Sequence, residues 1–112
     1  MAYHDGFLAA VPTANKDAYA AFCRTAKTVM TELGALEVLE FWGDDVPDGE
    51  TNSLNSAVLR KDDETVVMSL VTWPSKDVRD AAYAKMGEDP RMGEMPLDGS
   101  RMIFGGFVKL DV

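Results

Sequence analysis

A chain of 112 residues with 46% apolar and 27% charged residues has the composition of a globular protein, and its length fits one domain over residues 1–112. The net charge is -8, of which residues 37–64 carry -7, and such a surface repels a phosphate backbone, so nucleic acid is excluded as a partner. No apolar run approaches the roughly 20 residues that span a bilayer, and no basic region precedes the short apolar run near the N-terminus, so neither membrane insertion nor export is expected.

The first part of the chain predicts a strand, a helix and a second strand. Residues 3–11, "YHDGFLAAV", are mostly apolar or small, with such residues on both faces, which is typical of a strand covered on both sides. Pro12 ends this strand, Asn15 is the predicted N-cap of the helix, and Gly34 follows its last turn. The apolar stripe of the helix is Tyr19, Phe22, Cys23, Ala26, Met30 and Leu33, and Lys16, Arg24 and Lys27 lie off that stripe. Residues 35–42, "ALEVLEFW", predict the second strand.

The second part predicts a hairpin, a helix and a last strand. Residues 54–60 and 65–73 flank the polar turn "KDDE" and are interpreted as the two hairpin strands. Ser75 is the predicted N-cap of the second helix. Residues 87–100, rich in Gly and Pro, predict an irregular loop that is either a lid or a packed crossover. Within the last strand, the adjacent Gly105 and Gly106 indicate a bulge or a close approach of the chain.

The two halves of the chain resemble each other. "AVPTANKDAYAAF" and "VTWPSKDVRDAAY" share a strand, a Pro, a small polar cap and a helix of small and aromatic residues. Two such halves in tandem predict an α+β fold, the ferredoxin-like β-α-β-β-α-β arrangement, with an antiparallel sheet in the order 4-1-3-2 and two helices on one face.

Helices on one face leave the other face of the sheet uncovered. The predicted strand 65–73 is apolar on both sides, with Val66, Met68 and Leu70 on one face and Val67, Val71 and Trp73 on the other. Soluble monomers seldom expose an apolar patch of that size. We therefore expect a homodimer formed through the sheet face, with a cavity or a packed core enclosed.

Several motifs together resemble one known family. "DGFLAAVP", "EFWGDDVPDG", "DETVV", "WPSKDVRDAA", "DPRM" and "DGSRMIFGGF" are similar to the YbaA-like proteins, small bacterial proteins of unknown function in the dimeric α/β-barrel superfamily. The similarity extends over essentially the whole chain, although the segment "EDPRMGEMPLDG" is slightly shorter than in the family. The resemblance implies a ferredoxin-like dimer and no particular activity, because that superfamily includes cofactor-independent monooxygenases as well as haem-degrading and stress-response proteins.

Two acids within apolar strands, Asp5 and Glu40, are the candidate catalytic residues. A charge in such a position is costly unless it is paired or solvated. Because the last strand runs antiparallel beside the first, we expect Asp5 to form an ion pair with Lys109. Without that partner, Asp5 or Glu40 inside a cavity becomes a general-base candidate, since burial raises the pKa of a carboxyl.

The candidate ligand-binding residues are Phe41, Trp42 and Asp44, where the second strand enters an acidic loop. Trp42 and Asp44 are expected to rim a pocket, and Asp44, Asp45 and Asp48 otherwise solvate a turn, because their spacing does not match an EF-hand. No metal site and no cofactor are predicted, since His4 is the only histidine. Cys23, on the apolar stripe, is interpreted as a buried hydrophobe, and a single cysteine fits the reducing cytoplasm.

Three functions remain open from these residues. The first is a cytoplasmic homodimer that binds a small apolar or aromatic metabolite. The second is an enzyme similar to the cofactor-independent monooxygenases, in which a buried carboxylate removes a proton from the substrate. The third is a structural or interaction module without a ligand. An empty cavity favours the first two functions, and a packed interior favours the third.

Overall fold

The computed structural model describes residues Met1–Val112, and its elements follow the predicted order except for one segment. The strands are β1 Tyr3–Pro12, β2 Glu37–Trp42, β3 Glu64–Trp73 and β4 Ile103–Phe107, and the helices are α1 Lys16–Glu32, α2 Leu54–Ala57 and α3 Lys76–Met86. Short 3-10 turns occupy Thr13–Asn15 and Gly99–Arg101. None of these helices combines the length and the apolar character needed to cross a membrane.

The four strands form one antiparallel sheet in the order β2-β3-β1-β4. The central pair is β1 with β3, whose register runs from Tyr3 opposite Trp73 to Pro12 opposite Glu64. The shorter strands β2 and β4 lie at the two edges. The predicted ferredoxin-like α+β fold and its strand order are therefore confirmed.

The prediction of a strand at residues 54–60 is wrong. Leu54–Ala57 forms the one-turn helix α2, and β3 pairs with β2 instead. A local capping box accounts for this turn. The Ser56 amide donates to Ser53 Oγ at 2.9 Å, and the Ser53 amide donates to Ser56 Oγ at 3.0 Å. These reciprocal bonds satisfy backbone donors that a strand would have to satisfy through a partner.

The ends of the long helices follow the sequence more closely. Ser75 caps α3 as predicted, because its side chain accepts from the Val78 amide at 3.2 Å. Asn15 stands at the N-cap position of α1, but its side-chain amide donates to the Pro96 carbonyl at 3.3 Å and ties the loop before β4 to this helix. Gly34, predicted as the stop of α1, has a φ of +113°, which side chains rarely adopt.

The main core lies between the sheet and helices α1 and α3. Its centre is Trp73, which is fully buried and lies edge-on to the Tyr83 ring with the ring centroids 5.6 Å apart. The buried residues of this cluster are Ala26, Met30, Ala35, Val38, Val71, Trp73 and Ala82. The apolar parity of β3 that contains Trp73 therefore faces the helices, as the alternation predicts.

The opposite face of the sheet, here called the open face, is only partly covered. At one end the segment that contains α2 packs Val58 over Ala10 and Val66. Elsewhere large apolar side chains from three strands, β2, β3 and β4, are exposed over 38% to 60% of their surface. They are Leu39, Phe41, Met68, Leu70, Ile103 and Phe107. The uncovered apolar surface expected from the sequence is thus present away from α2.

Candidate functional site

A cavity of about 180 Å³ lies between the sheet, helices α1 and α3, and the segment before β4. Its walls are apolar apart from Glu40 and Ser69. Five of the seven methionines of the chain line it, and they are Met30, Met86, Met92, Met95 and Met102. The cavity is therefore a flexible, mainly apolar space with one acidic side chain in its wall.

Glu40 enters this cavity because inward and outward side chains alternate along β2. It lies opposite Ser69 of β3, and the Ser69 hydroxyl donates a short hydrogen bond to its carboxylate. Burial raises the pKa of the Glu40 carboxyl, although hydrogen bonds from Ser69, Cys23 and Tyr19 oppose the change. No cation forms an ion pair with this acid. Glu40 is thus a partly desolvated carboxyl whose neighbours are neutral.

Cys23 and Tyr19 of α1 share the wall with Glu40. Burial, together with the charge of Glu40, raises the pKa of the Cys23 thiol to about 11, so the thiol is protonated at neutral pH. Burial also raises the pKa of the Tyr19 hydroxyl, and the nearby Glu40 charge adds to this effect. Both groups therefore act as neutral hydrogen-bonding partners, and Cys23 lacks the thiolate character of a nucleophile.

The predicted ion pair between Asp5 and Lys109 is wrong. Asp5 is bound by Arg79 of α3, whose Nε and Nη2 donate to Oδ1 at 3.1 and 3.0 Å. Trp73 Nε1 donates to Oδ2 at 3.0 Å, and the Tyr83 hydroxyl also donates to Oδ2. Asp5 points toward the helices, where α3 supplies these donors, whereas Lys109 lies beyond the end of β4. With its oxygens occupied, Asp5 is not among the residues that line the cavity.

The structure separates the three predicted ligand-binding residues. Phe41 and Trp42 line a groove of about 300 Å³ between α1 and the edge strand β2, on the other side of Glu40 from the cavity. Asp44 lies in a different, polar depression that also contains Asp48 and Arg60. Trp42 and Asp44 therefore line different depressions of the single chain, because the chain turns away after Trp42 and carries Asp44 to the loop. A pocket rimmed by both residues at the mouth of a dimer stays a prediction.

The groove beside β2, here called the edge groove, has a basic and aromatic lining. Lys16 Nζ lies 5.2 Å from the centroid of the Trp42 ring, which is a cation–π distance. The Tyr19 and Trp42 rings are 6.4 Å apart. Arg24 and Lys27 of α1 also line the groove, and Glu40 contributes to both the groove and the cavity. In the sequence, the only signal for this groove is the position of these cations beside the apolar stripe of α1.

Possible metal ligands do not cluster in the structure. There is no group of three or more His, Cys, Asp or Glu side chains arranged to hold an ion. His4 lies on the open face, where its Nδ1 is 3.1 Å from Thr72 Oγ1. In the acidic loop, Asp48 accepts a hydrogen bond from the Asn55 side chain at 2.8 Å. That contact is the turn-stabilising role expected for these acids.

The irregular segment 87–100, predicted as a lid or a packed crossover, forms the far wall of the cavity. Met92 and Leu97 of this segment, and Met102 just before β4, pack against the core and line the cavity. Sequence reasoning missed Ser69, the partner of Glu40. Its signal was a polar residue on the helix-facing parity of an apolar strand, opposite the acid in the adjacent strand.

The comparisons with known proteins agree with this fold. Residues 2–104 match a family model described as "Protein of unknown function (DUF1428)". The chain belongs to this family. It is 50% identical over 111 residues to the uncharacterized protein YbaA of Escherichia coli strain K12, across 96% of this chain and 95% of that protein. YbaA of Shigella flexneri gives the same values.

A solved structure matches this family member over 100% of both chains, with a TM-score of 0.55 and 13% identity. It is described as a dimeric ferredoxin-like protein from an uncultured marine organism. At that identity the match shows the fold alone. Together with the curated relatives, it confirms the resemblance and the ferredoxin-like fold expected from the sequence.

Proposed function

We propose that this protein is a cytoplasmic homodimer that binds one small apolar or aromatic molecule in the cavity between its sheet and helices. The observation that carries the proposal is an empty, mainly apolar space of about 180 Å³ with a single acidic side chain, Glu40, in its wall. A structural module has no need of such a space, since protein interiors are normally packed to the density of organic crystals.

The volume limits the size of the ligand. An apolar cavity of about 150 Å³ is known to hold a benzene molecule, so the space here suits one aromatic ring or a short aliphatic chain. Methionine side chains adapt to irregular shapes and contact aromatic rings favourably through sulfur. Glu40 and Ser69 together offer an acceptor to a ligand hydroxyl or amine. We therefore favour a single-ring compound with one polar substituent.

The homodimer is supported by the open face. Six large apolar side chains are exposed there, and a second copy related by a two-fold axis would cover them. The matched structure of the same fold is described as dimeric, which supports the same assembly here. Because the open face and the cavity lie on opposite sides of the sheet, each half of the proposal is tested separately.

Native mass spectrometry of the protein purified from its own host tests both halves. We expect twice the chain mass and a retained molecule of the size of a substituted benzene. The variant Ala26→Leu, which fills the cavity, is expected to lose that molecule, whereas Ala21→Leu on the exposed side of the same helix should keep it. Equal retention by both variants would reject the cavity as the site, and a monomer in dilute solution would reject the dimer.

A second candidate is acid–base catalysis by Glu40, as expected for an enzyme similar to the cofactor-independent monooxygenases. The supporting observation is the carboxyl itself, which faces the cavity without a cationic partner and has a raised pKa. Such a group is suited to accept a proton from a bound phenol or carbon acid. If Glu40→Gln abolishes turnover of the retained molecule without releasing it, the carboxylate is a base and not only a ligand anchor.

A further inference from the structure

The edge groove is a basic site on an acidic protein. The chain has 19 acids and 11 bases, yet three bases, Lys16, Arg24 and Lys27, line this groove together with Trp42. The only acid in its lining is Glu40, which is partly buried at the boundary with the cavity. An anion that approaches the groove therefore meets a local charge opposite to that of the whole molecule.

None of the three bases has an acidic partner within the chain. The seven ion pairs involve Lys76, Arg79, Arg91 and Arg101 as their cations. Arg60 donates to backbone carbonyls. Arg24 is thus the one arginine of five whose guanidinium makes no hydrogen bond in the structure. The chain has more acids than bases, yet these cations lie together in a groove without an acidic partner. This arrangement indicates that the groove can bind an anion from solution.

The groove also has the shape for a flat molecule. Lys16, Ala20, Arg24 and Lys27 follow one another at helical spacings of four, four and three, so they form one line along α1. Ala20 is the small residue in that line and leaves a gap between Lys16 and Arg24. Across from the helix, Trp42 presents an aromatic surface, and Val38 adds an apolar one. A ring fits against these side chains, with its charged group directed toward Arg24 and Lys27.

We infer that the edge groove is a second binding site, distinct from the cavity, for a small planar organic anion such as an aromatic carboxylate. The ring packs against Trp42, and the carboxylate is held by Arg24, whose planar guanidinium can donate two parallel hydrogen bonds, and by Lys27. Lys16 remains beside the indole and adds to the positive potential. Tyr19, Cys23 and Glu40 line both spaces, but the three cations and Trp42 line the groove alone, so this inference does not depend on the proposed function.

The test uses two probes of the same shape at pH 7, namely 2-naphthoate, which is an anion, and 2-naphthol, which is neutral. The two tryptophans give two indole N–H signals in a ¹H–¹⁵N NMR spectrum. Trp42 lies in the groove, and Trp73 is buried and bonded to Asp5, so it serves as an internal reference. We expect 2-naphthoate to shift the Trp42 signal and to bind with an affinity about tenfold higher than that of 2-naphthol. Added salt should weaken the binding of 2-naphthoate.

Matched variants separate the groove from the overall charge. The double variant Arg24→Gln and Lys27→Gln should bind 2-naphthoate about tenfold more weakly than the wild type, and its affinity for 2-naphthol should be unchanged. The double variant Lys61→Gln and Lys85→Gln removes the same amount of charge outside the groove. It should change the affinity for neither probe. Equal affinities for the two probes, or equal loss in both double variants, would overturn the inference.

The cavity variant distinguishes the two sites. Ala26→Leu fills the cavity and should leave 2-naphthoate binding at the groove unchanged. If this variant abolishes the Trp42 response, the probe occupies the cavity and the edge groove is not a separate site. The groove is supported if the cavity variant binds 2-naphthoate and the Arg24 and Lys27 double variant does not. This result would hold even if the cavity proved to contain no ligand.

Discussion

At the scale of single residues, the two candidate acids have opposite surroundings. Asp5 is buried, but Arg79, Trp73 and Tyr83 donate to it, so its charge is compensated and its oxygens are occupied. Glu40 has only neutral donors and faces empty space. A charge that is desolvated without a counter-ion is the costlier arrangement, and such groups concentrate at functional sites. Of the two acids, Glu40 is therefore the one that the proposed function uses.

We expect Asp5→Asn to lower the free energy of unfolding by about 3 kcal/mol, because the partly buried Arg79 then loses its buried counter-charge and keeps only the exposed carboxylate of Asp80. Urea unfolding followed by circular dichroism measures this change. Lys109→Ala, which removes the partner expected from the sequence, should change the stability by less than about 0.5 kcal/mol. A comparable loss in both variants would contradict the assigned ion pair.

For Glu40→Gln we expect higher stability at neutral pH than in the wild type. The folded-state pKa of Glu40 lies above its unfolded value of 4.5, so between these two values the folded state holds a proton that the unfolded state has lost. The stability of the wild type therefore falls as the pH rises from about 4.5 through the folded-state pKa. Gln does not titrate, so the variant lacks this fall. The gain should vanish below about pH 4, where both states are protonated.

Thermal unfolding across pH 4 to 8 measures the difference between Glu40→Gln and the wild type. Glu37→Gln, which removes an exposed acid of the same strand, is the control and should change the stability at pH 7 by less than about 0.5 kcal/mol. A variant that is less stable than the wild type at pH 7 would mean that the Glu40 carboxylate is stabilised by its surroundings.

At the scale of elements, the long periodic segments were predictable and the short ones were not. The apolar stripe of α1 repeats over several turns, and the cap at Ser75 depends only on neighbouring residues. Both can therefore be identified from the sequence alone. Residues 54–57 contain too few positions to define a period. The capping box between Ser53 and Ser56 stabilises a helical turn there. A segment of four residues with a single large apolar side chain, Leu54, is compatible with either element.

The candidate site was predictable only in part, for a related reason. Glu40 was identified because an acid in an apolar strand is conspicuous in the sequence. Its partner Ser69 depends on the register between β2 and β3, and the bond from Arg79 to Asp5 depends on how α3 lies over the sheet. Both are tertiary relations, which strand alternation alone does not contain.

Gly105 and Gly106 allow a test of strand β4. The register beside β1 is continuous, so there is no bulge. The close approach is confirmed at Gly106, where a Cβ would lie 2.5 Å from Arg79 Nη2 and overlap the Tyr3 side chain. We expect Gly106→Ala to cost about 1 to 3 kcal/mol of unfolding free energy, because Arg79 is held by Asp5 and cannot withdraw freely.

Gly105→Ala is the neighbouring control, since its Cβ would make only an ordinary contact with Phe107 at 3.4 Å. We expect it to cost less than about 1 kcal/mol in the same urea titration. Equal costs would show that glycine is needed here for reasons other than the approach of Arg79.

At the scale of the whole molecule, the open face determines the assembly that we propose. Leu70 lies near its centre, on β3, and is 41% exposed. We expect Leu70→Glu to convert a dimer into a monomer, because a charge would be buried without a partner at the interface. Sedimentation velocity at micromolar concentration measures the species present.

Leu36→Glu is the matched control for the assembly, because Leu36 is 66% exposed but precedes β2 at the end of the sheet. This variant should remain dimeric. If the wild type itself sediments as a monomer, the open face is not an interface between copies, and the dimer proposal fails without affecting the cavity or the edge groove.

The position of Cys23 gives the molecule a chemical reporter of its own. Its sulfur belongs to the wall shared by the cavity and the edge groove, and its thiol is held in the unreactive protonated form. Because Cys23 is only partly buried and lines both spaces, iodoacetamide can reach its sulfur through either of them, and the low thiolate fraction makes alkylation slow. With no other thiol in the chain, the labelling rate reports on Cys23 alone, and an occupant on either side of the wall should slow it.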